Sequence, residues 1–285
     1  MLNKYITLSF MILLSLSLIS CEKPRPTPPP TALQPSLSFM SFPVLEYHLI
    51  QRPEARWSRT PENFRQDLEW LYAHNYYPFN LRDLLNNFKD LPKGKIPVIL
   101  TFDDSSSSQF RYLADGKLDP ECAVGVIKAF HDKHPKDWPL RATFFILIET
   151  NNPDRNIFGQ PEFVNKKLRQ LTDWGMEVAS HTYSHERLNQ VSPDFARYVL
   201  SRASKKLHEL SGQEIVSLAT PMGLYPSDEA LFKGRYQKID YDFKLVAEVA
   251  GGMQPAPTSP KFNPRHIHRI QTIASEWKKF FNREN

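Results

Sequence analysis

Two short stretches of this chain carry side chains whose types and spacing suit work on a bound cation. In Thr101-Phe102-Asp103-Asp104, two adjacent carboxylates end the apolar run Pro97-Val98-Ile99-Leu100. Such a run suits a strand buried on both faces of a parallel sheet. An acid at its end is costly unless a charge offsets it, and two acids call for a cation. The second stretch, His181-Thr182-Tyr183-Ser184-His185, places two imidazoles four residues apart. On a helical turn or in a tight loop both rings face one way and form half of a divalent-metal site. Joined by an Asp from another strand end, they become a two-histidine, one-carboxylate set. Three protein ligands leave one position open, the arrangement of a catalytic site and not of a structural one. Adjacent residues rarely both ligate one small cation, so one of Asp103 and Asp104 is the ligand. The other is placed to act as general base. The plain alternative for the pair is a solvated loop or a helix cap.

The surrounding pattern supplies the strands that these residues need. Pro43-Val44-Leu45-Glu46-Tyr47-His48 reads as a first strand ending in a histidine. Thr60-Pro61-Glu62 is a helix start, with Pro at the first helical position and Phe64, Leu68, Leu71 and Tyr72 at helical spacing. A short helix from Leu81 to Phe88 precedes the Asp-Asp strand. Asp119-Pro120 starts a helix carrying Ala123, Ile127 and Phe130, and residues 142–148 are a buried strand. A helix from Phe163 to Trp174 closes on Gly175, and Met176 to Ser180 is the strand that delivers His181. Ser192-Pro193 caps a long helix to Gly212, and the strand from Ile215 to Ala219 ends at Thr220-Pro221-Met222-Gly223. A short helix near Asp228–Phe232, strands near Phe243–Val249 and His266–Ile270, and a last helix finish the chain. Strands alternating with helices predict a parallel sheet. The fold class is α/β, a deformed (β/α) barrel of about seven strands with its site at their C-terminal ends.

The chain has 285 residues, a formal net charge of +5 and two cysteines. Residues 1–20 read as an export signal, with Lys4 ahead of an apolar run from Ile6 to Ile19. The run is too short for a comfortable membrane-spanning helix. Leu18-Ile19-Ser20-Cys21 resembles a bacterial lipobox, which implies a diacylated Cys21 as the mature N-terminus and a lipid anchor instead of a span. Residues 21–41 are proline-rich and read as a semi-rigid spacer. Residues 42–285 then form one barrel-sized catalytic domain. Cys122 stands alone there, so no intramolecular disulfide is expected in spite of an oxidising compartment, and a small buried apolar role suits it. Lys166-Lys167, Lys205-Lys206 and Lys278-Lys279 fit solvated helix faces, which help a protein sit near anionic envelope polymers. With no dense basic stripe and an export signal, nucleic acid is excluded as a partner. The expected state is a monomer, exported and anchored in the bacterial cell envelope.

The Asp-Asp and His-pair stretches resemble, in order and in strand context, the first two motifs of the polysaccharide deacetylases (the NodB-homology domain, carbohydrate esterase family 4). The resemblance implies a NodB-like barrel in which Asp103 is the base, while Asp104, His181 and His185 hold one divalent metal ion. Tyr47-His48, the Phe64–Tyr72 helix and Ala219-Thr220-Pro221-Met222-Gly223 resemble the permuted branch that contains the secreted poly-N-acetylglucosamine deacetylases. In that branch an early histidine is the general acid, here His48. The resemblance spans residues 42–272. Three departures stand out. Ser105 replaces the usual glycine and opens the run Ser105–Ser108, which reads as a flexible loop or helix cap. The third-motif arginine is absent, with Ala219 at about its place. Met222 replaces a common aromatic, although its backbone N–H can still stabilise an oxyanion. His266 and His268, beside Arg269 on a late strand, are alternative general acids.

The implied activity is metal-assisted removal of N-acetyl groups from an N-acetylhexosamine polymer of the envelope or extracellular matrix, with zinc the default ion for such ligands. A mononuclear iron oxygenase also uses two histidines and a carboxylate but does not require the second acid. A glycosidase needs carboxylates roughly 5–9.5 Å apart, a gap that neighbouring Asp103 and Asp104 do not naturally span. The altered third motif motivates a third alternative, a lipid-anchored carbohydrate-binding protein with an inactive deacetylase fold. Glycan binding without acetate release would distinguish it.

Overall fold

The computed structural model describes residues 41–283. The signal segment, Cys21 and the proline-rich stretch up to residue 40 lie outside the described residues. The main sheet has eight strands: β1 (Val44–Tyr47), β2 (Tyr76–Phe79), β3 (Ile96–Phe102), β4 (Thr143–Ile146), β5 (Glu177–Ser180), β6 (Ser217–Ala219), β7 (Leu245–Gly251) and β8 (Ile267–Gln271). Their pairings are parallel. Seven of them close into a ring, because β1 pairs with β3 (Val44 opposite Ile99) and also with β8 (Leu45 opposite Ile270). The eighth, β2, pairs with the first half of β3. This is the expected α/β barrel. Five helices flank it: α1 (Pro61–Ala73), α2 (Ala123–Lys133), α3 (Val164–Asp173), α4 (Pro193–Ser211) and α5 (Ala274–Phe281). No helix among the described residues is long and apolar enough to cross a membrane.

Side chains alternate between the two faces of a strand, and that period sorts the core. Val44, Ile99, Phe145, Ala179, Ala219, Ala247 and Ile267 form one apolar cluster. Their sequence neighbours Leu45, Leu100, Phe144, Val178, Leu218 and Val246 pack with helix residues such as Phe64, Leu68 and Leu200 in another. Glu46, His48, Thr101, Asp103, His181 and Arg269 share the phase of the first cluster. The polar residues thus gather where the strands end, at one mouth of the barrel.

Local chemistry sets the helix ends. Thr60 accepts the Asn63 N–H with Pro61 following, and Ser192 accepts the Phe195 N–H with Pro193 following, both as the sequence predicts. Gly212, at φ 76°, ends α4 in the left-handed region that glycine enters without strain. One start differs. Helix α2 begins at Ala123 and not at Asp119-Pro120, because Cys122 is its cap: Sγ accepts the Gly125 N–H at 3.4 Å and donates to the Asp119 carbonyl at 3.2 Å. Cys122 is buried and unbridged, but its role is a polar one.

The same turn makes Gly125 indispensable. A Cβ there would lie 2.0 Å from the Asp119 carbonyl oxygen. Alanine normally gains about 1 kcal/mol over glycine in a helix. Forcing the Asp119 turn outward costs about 1–3 kcal/mol, as overpacking does. Gly125→Ala is therefore expected to lower the thermal midpoint, and a raised midpoint would show that this turn yields freely.

Candidate active site

Asp104 follows β3, and His181 follows β5. His185 is brought back beside His181 by a tight loop, not by a helical turn. Thr182 and His185 both lie in the left-handed region (φ 66° and 70°). The loop is closed by the Glu186 carboxylate, which accepts the N–H groups of Tyr183 and Ser184, and by Thr182 Oγ1, which accepts the Glu186 N–H. Asp104 is also left-handed at φ 77°. Non-glycine residues there cost of order 1–3 kcal/mol each, and the cost concentrates at functional sites.

His181 donates from Nδ1 to the Ala219 carbonyl at 2.8 Å, which leaves Nε2 facing the mouth. From Asp104 Oδ1, Nε2 of His181 is 3.4 Å away and Nε2 of His185 is 3.5 Å away. One ligand atom from each residue lies within 4.8 Å of the others. Donors about 2.1 Å from a tetrahedral ion stand about 3.4 Å from each other, close to these two spacings. Asp104 Oδ1 is buried, and besides the two imidazoles it meets Arg155 Nη2 in an ion pair. The donor set fits a small divalent ion.

Asp103 is held differently. Arg269, on β8, clamps it with two hydrogen bonds, Nη1 to Oδ1 at 2.7 Å and Nη2 to Oδ2 at 2.8 Å. Nη2 also reaches Glu46 Oε1 at 3.1 Å, and Nη1 reaches Thr101 Oγ1 at 3.2 Å. Arg269, Asp103 and Glu46 are all buried. Burial opposes the charged form of Asp103, but Arg269 outweighs it and holds the carboxyl below its usual range. Burial, reinforced by Asp103, pushes Glu46 up to about 8. One carboxyl takes the ion pair and the other keeps its proton. Arg269 escapes a reading by motif because it lies on the last strand, far from Ala219. An arginine between Ile267 and Ile270 was the available signal, since a buried cation requires a buried acid.

His48 follows β1. Its ring packs on Trp57, with centroids 4.6 Å apart, and burial pushes its imidazole below the usual range against the pull of Asp103 and Asp104. Gln109 Nε2 donates to the carbonyls of both His48 and Asp103, tying the two strand ends together. His48, Asp103, Asp104, His181, His185 and Met222 all line one cavity of about 660 Å³. Trp57 and Met222 are 42% and 54% exposed at this cavity, which places an apolar rim around a charged floor. Trp57 carries no motif, and sequence reasoning missed it.

His266 and His268 do not join this group. Both ring nitrogens of His266 are occupied, Nδ1 by Glu248 at 2.7 Å and Nε2 by Glu229 at 2.8 Å, and its ring stacks on Tyr225. His268 Nε2 stands 4.0 Å from Glu248, and neither histidine lines the cavity. The serine run is also not the flexible loop expected. Ser105 Oγ donates to the Arg155 carbonyl (2.7 Å) and accepts the Leu147 N–H (3.0 Å), Ser106 Oγ donates to Asp154 (2.8 Å), and Ser108 Oγ accepts the Ile50 N–H (3.1 Å). Buried and bonded in this way, these serines pin the loops around the mouth.

A parallel barrel with two histidines and one aspartate at its mouth, beside an arginine-clamped second aspartate, defines a class of hydrolase site. The polysaccharide deacetylase family model matches residues 90–235, and the chain belongs to that family. It is thereby a hydrolase of the polysaccharide-deacetylating class, a family that generally works with a metal ion. The chain is 21% identical over 234 residues to YxkH of Bacillus subtilis, described as a polysaccharide deacetylase, covering 81% of this chain and 71% of that protein. It is 24% identical over 163 residues to a peptidoglycan-N-acetylglucosamine deacetylase of Bacillus cereus, covering 57% and 50%. The deacetylase PplD of Streptococcus pyogenes, solved with acetate, superposes with a TM-score of 0.60 at 22% identity, covering 82% of this chain and 93% of that one. His48 and Arg269 both lie outside the matched segment 90–235. Closure of the ring, which sets β1 beside β8, delivers them.

Proposed function

We propose that this protein removes N-acetyl groups from an N-acetylhexosamine-containing polysaccharide of the cell envelope or extracellular matrix, with one divalent ion, zinc by ligand type. It does so as an exported monomer held to the membrane through a lipid on Cys21. The observation that carries the reading is the approach of both histidine Nε2 atoms to 3.4 and 3.5 Å from Asp104 Oδ1 beside an Arg269-clamped Asp103, with His48 in the same cavity. The name of the Bacillus cereus relative supports the amide on N-acetylglucosamine as the bond broken.

When bound, the ion would supply Lewis acidity toward the acetyl carbonyl and the attacking water. Asp103 takes a proton from that water as it adds to the carbonyl carbon. The Met222 N–H holds the oxyanion. His48 gives a proton to the departing amine as the C–N bond breaks, leaving acetate and a free amino sugar. The proton gained by Asp103 balances the one lost by His48 over the turnover. The carbohydrate-binding alternative rested on the altered third motif, and in this chain an arginine from β8, Arg269, grips Asp103.

The test is acetate release from chitooligosaccharides, poly-N-acetylglucosamine and peptidoglycan, with and without chelator. Release from at least one glycan, lost on chelation and restored by zinc, is expected. His48→Gln should lower it by roughly 10²–10⁴-fold, as loss of a general acid does, while His266→Gln should leave it unchanged. The reverse ranking would move the acid to β8. Glycan binding with no release from any of the three would favour the binding-protein alternative.

A further inference from the structure

The loop after β4 brings Arg155 into the cavity. Its backbone is fixed on both sides, with its N–H donating to the Asn152 carbonyl at 3.0 Å and its carbonyl accepting Ser105 Oγ at 2.7 Å. Ser105, where the resemblance expects glycine, therefore sets the position of this arginine. The side chain is 27% exposed, and its one ion pair among the described residues is to Asp104 Oδ1. Nη2 makes that pair, and Nε is buried with no hydrogen-bond partner. A guanidinium is built to satisfy a planar anion with paired donors, and here a single carboxylate oxygen meets one corner of the fork.

The acids around it do not supply that anion. Asp104 is the oxygen donor of the three-residue set, so its charge is committed. Asp103 is neutralised by Arg269, and Glu46, sharing the same arginine, keeps its proton. Asp154, also at the cavity, is engaged by Ser106 Oγ at 2.8 Å. Across the cavity Arg56 adds a second cation, its guanidinium 5.0 Å over the Trp57 ring. A neutral glycan would bring no anion to either cation. A glycan with a carboxylate near the acetylated sugar would meet an apolar rim for its ring and a guanidinium for its charge.

The geometry points to Arg155 as a specificity residue that receives a substrate carboxylate, which makes the preferred substrate an acidic N-acetylhexosamine polymer. This rests on the deacetylase reading and deepens it. Two sources share the chemistry: a uronic acid alternating with the amino sugar, and the lactyl ether of a peptide-free muramyl residue.

The experiment measures binding by the zinc-loaded Asp103→Asn protein. The probes are hyaluronan oligosaccharides, their carboxyl-reduced counterparts, and peptide-free muramyl oligosaccharides. At least one acidic glycan should bind tenfold or more tighter than the carboxyl-reduced one, about 1.4 kcal/mol. Whichever acidic arm shows the gain identifies the source. Adding Arg155→Gln should bring acidic and reduced glycans to one affinity, adding Arg155→Lys should restore part of the difference, and the zinc content should stay at one equivalent. Equal binding of acidic and reduced glycans by the parent protein overturns the proposal. So does a difference that survives Arg155→Gln, or a loss of zinc in that variant, which would show Arg155 acting through Asp104. Absence of acetate release by the unmodified protein is a separate result, and it counts against the deacetylase reading alone.

Discussion

Asp103→Asn should reduce acetate release by roughly 10²–10⁴-fold, the usual worth of a positioned base, while the protein keeps one equivalent of metal and its fold. Asparagine preserves the shape of the side chain but cannot hold the proton of an attacking water. Metal retention follows because the three-residue set does not include Asp103. Retention of the fold is less obvious, since the substitution removes the carboxylate that Arg269 grips at 2.7 and 2.8 Å. Stripping one partner from a buried ion pair ordinarily costs about 3–5 kcal/mol. Here Glu46 stands 3.1 Å from the same guanidinium with its proton still on. It can give up that proton and assume the charge, so the expected cost is well below that range. Glu46→Gln alone should be mild, and the double variant Asp103→Asn, Glu46→Gln should bring the full cost by leaving Arg269 without an acid. Kinetics, metal analysis and urea midpoints on these three variants check the account. Full activity in Asp103→Asn would move the base elsewhere, and lost metal would exchange the roles of Asp103 and Asp104.

The legible part of this protein was whatever a strand end announces locally. Asp103-Asp104 and the two histidines sit directly after apolar runs, so residue type, spacing and strand context were contiguous in the chain. Their convergence in space followed from the alternation of strands and helices that predicts a parallel barrel. Arg269 was not legible, because its partners are Asp103 and Glu46, 166 and 223 residues away in sequence, and only ring closure makes them neighbours. Trp57 was missed because an exposed aromatic in an irregular loop has no periodicity to betray it. The serine run misled for a related reason. Short polar side chains in sequence look like a solvated loop, and only the tertiary structure shows which backbone groups they satisfy. Strand β2 escaped because Tyr76-Tyr77-Pro78-Phe79 is four residues long and contains a proline, and it gains its strand character by pairing with β3. Residues that act through distant partners need the fold first.

The largest loss of stability should come from Asp67→Ala, far from the cavity floor. Asp67 on α1 has no exposed surface. It accepts from Arg59 Nε (2.9 Å) and Nη2 (2.7 Å), from the Tyr47 hydroxyl (3.1 Å) and from Arg283 Nη1 (2.7 Å). One carboxylate therefore joins β1, α1, the loop before it and the C-terminal segment. Alanine would leave the buried Arg59 with only Glu54, 2.6 Å away and itself 37% exposed. The expected cost is about 3–5 kcal/mol, a fall in thermal midpoint on the order of 10 °C for a domain of this size. The damage should also reach the cavity wall. Arg59 ends the short strand Ser58–Arg59, which pairs with Leu49–Ile50 and so clips Trp57 against His48. Substrate KM should then rise more than kcat falls in the fraction that remains folded. Replacing the pair by apolar residues, Asp67→Leu with Arg59→Met, should recover most of the stability, because removing both charges avoids the stranded cation. If Asp67→Ala shifts the midpoint by no more than a degree or two, water must reach Arg59 readily. The wall that carries Trp57 would then owe its position to the Ser58–Arg59 pairing alone.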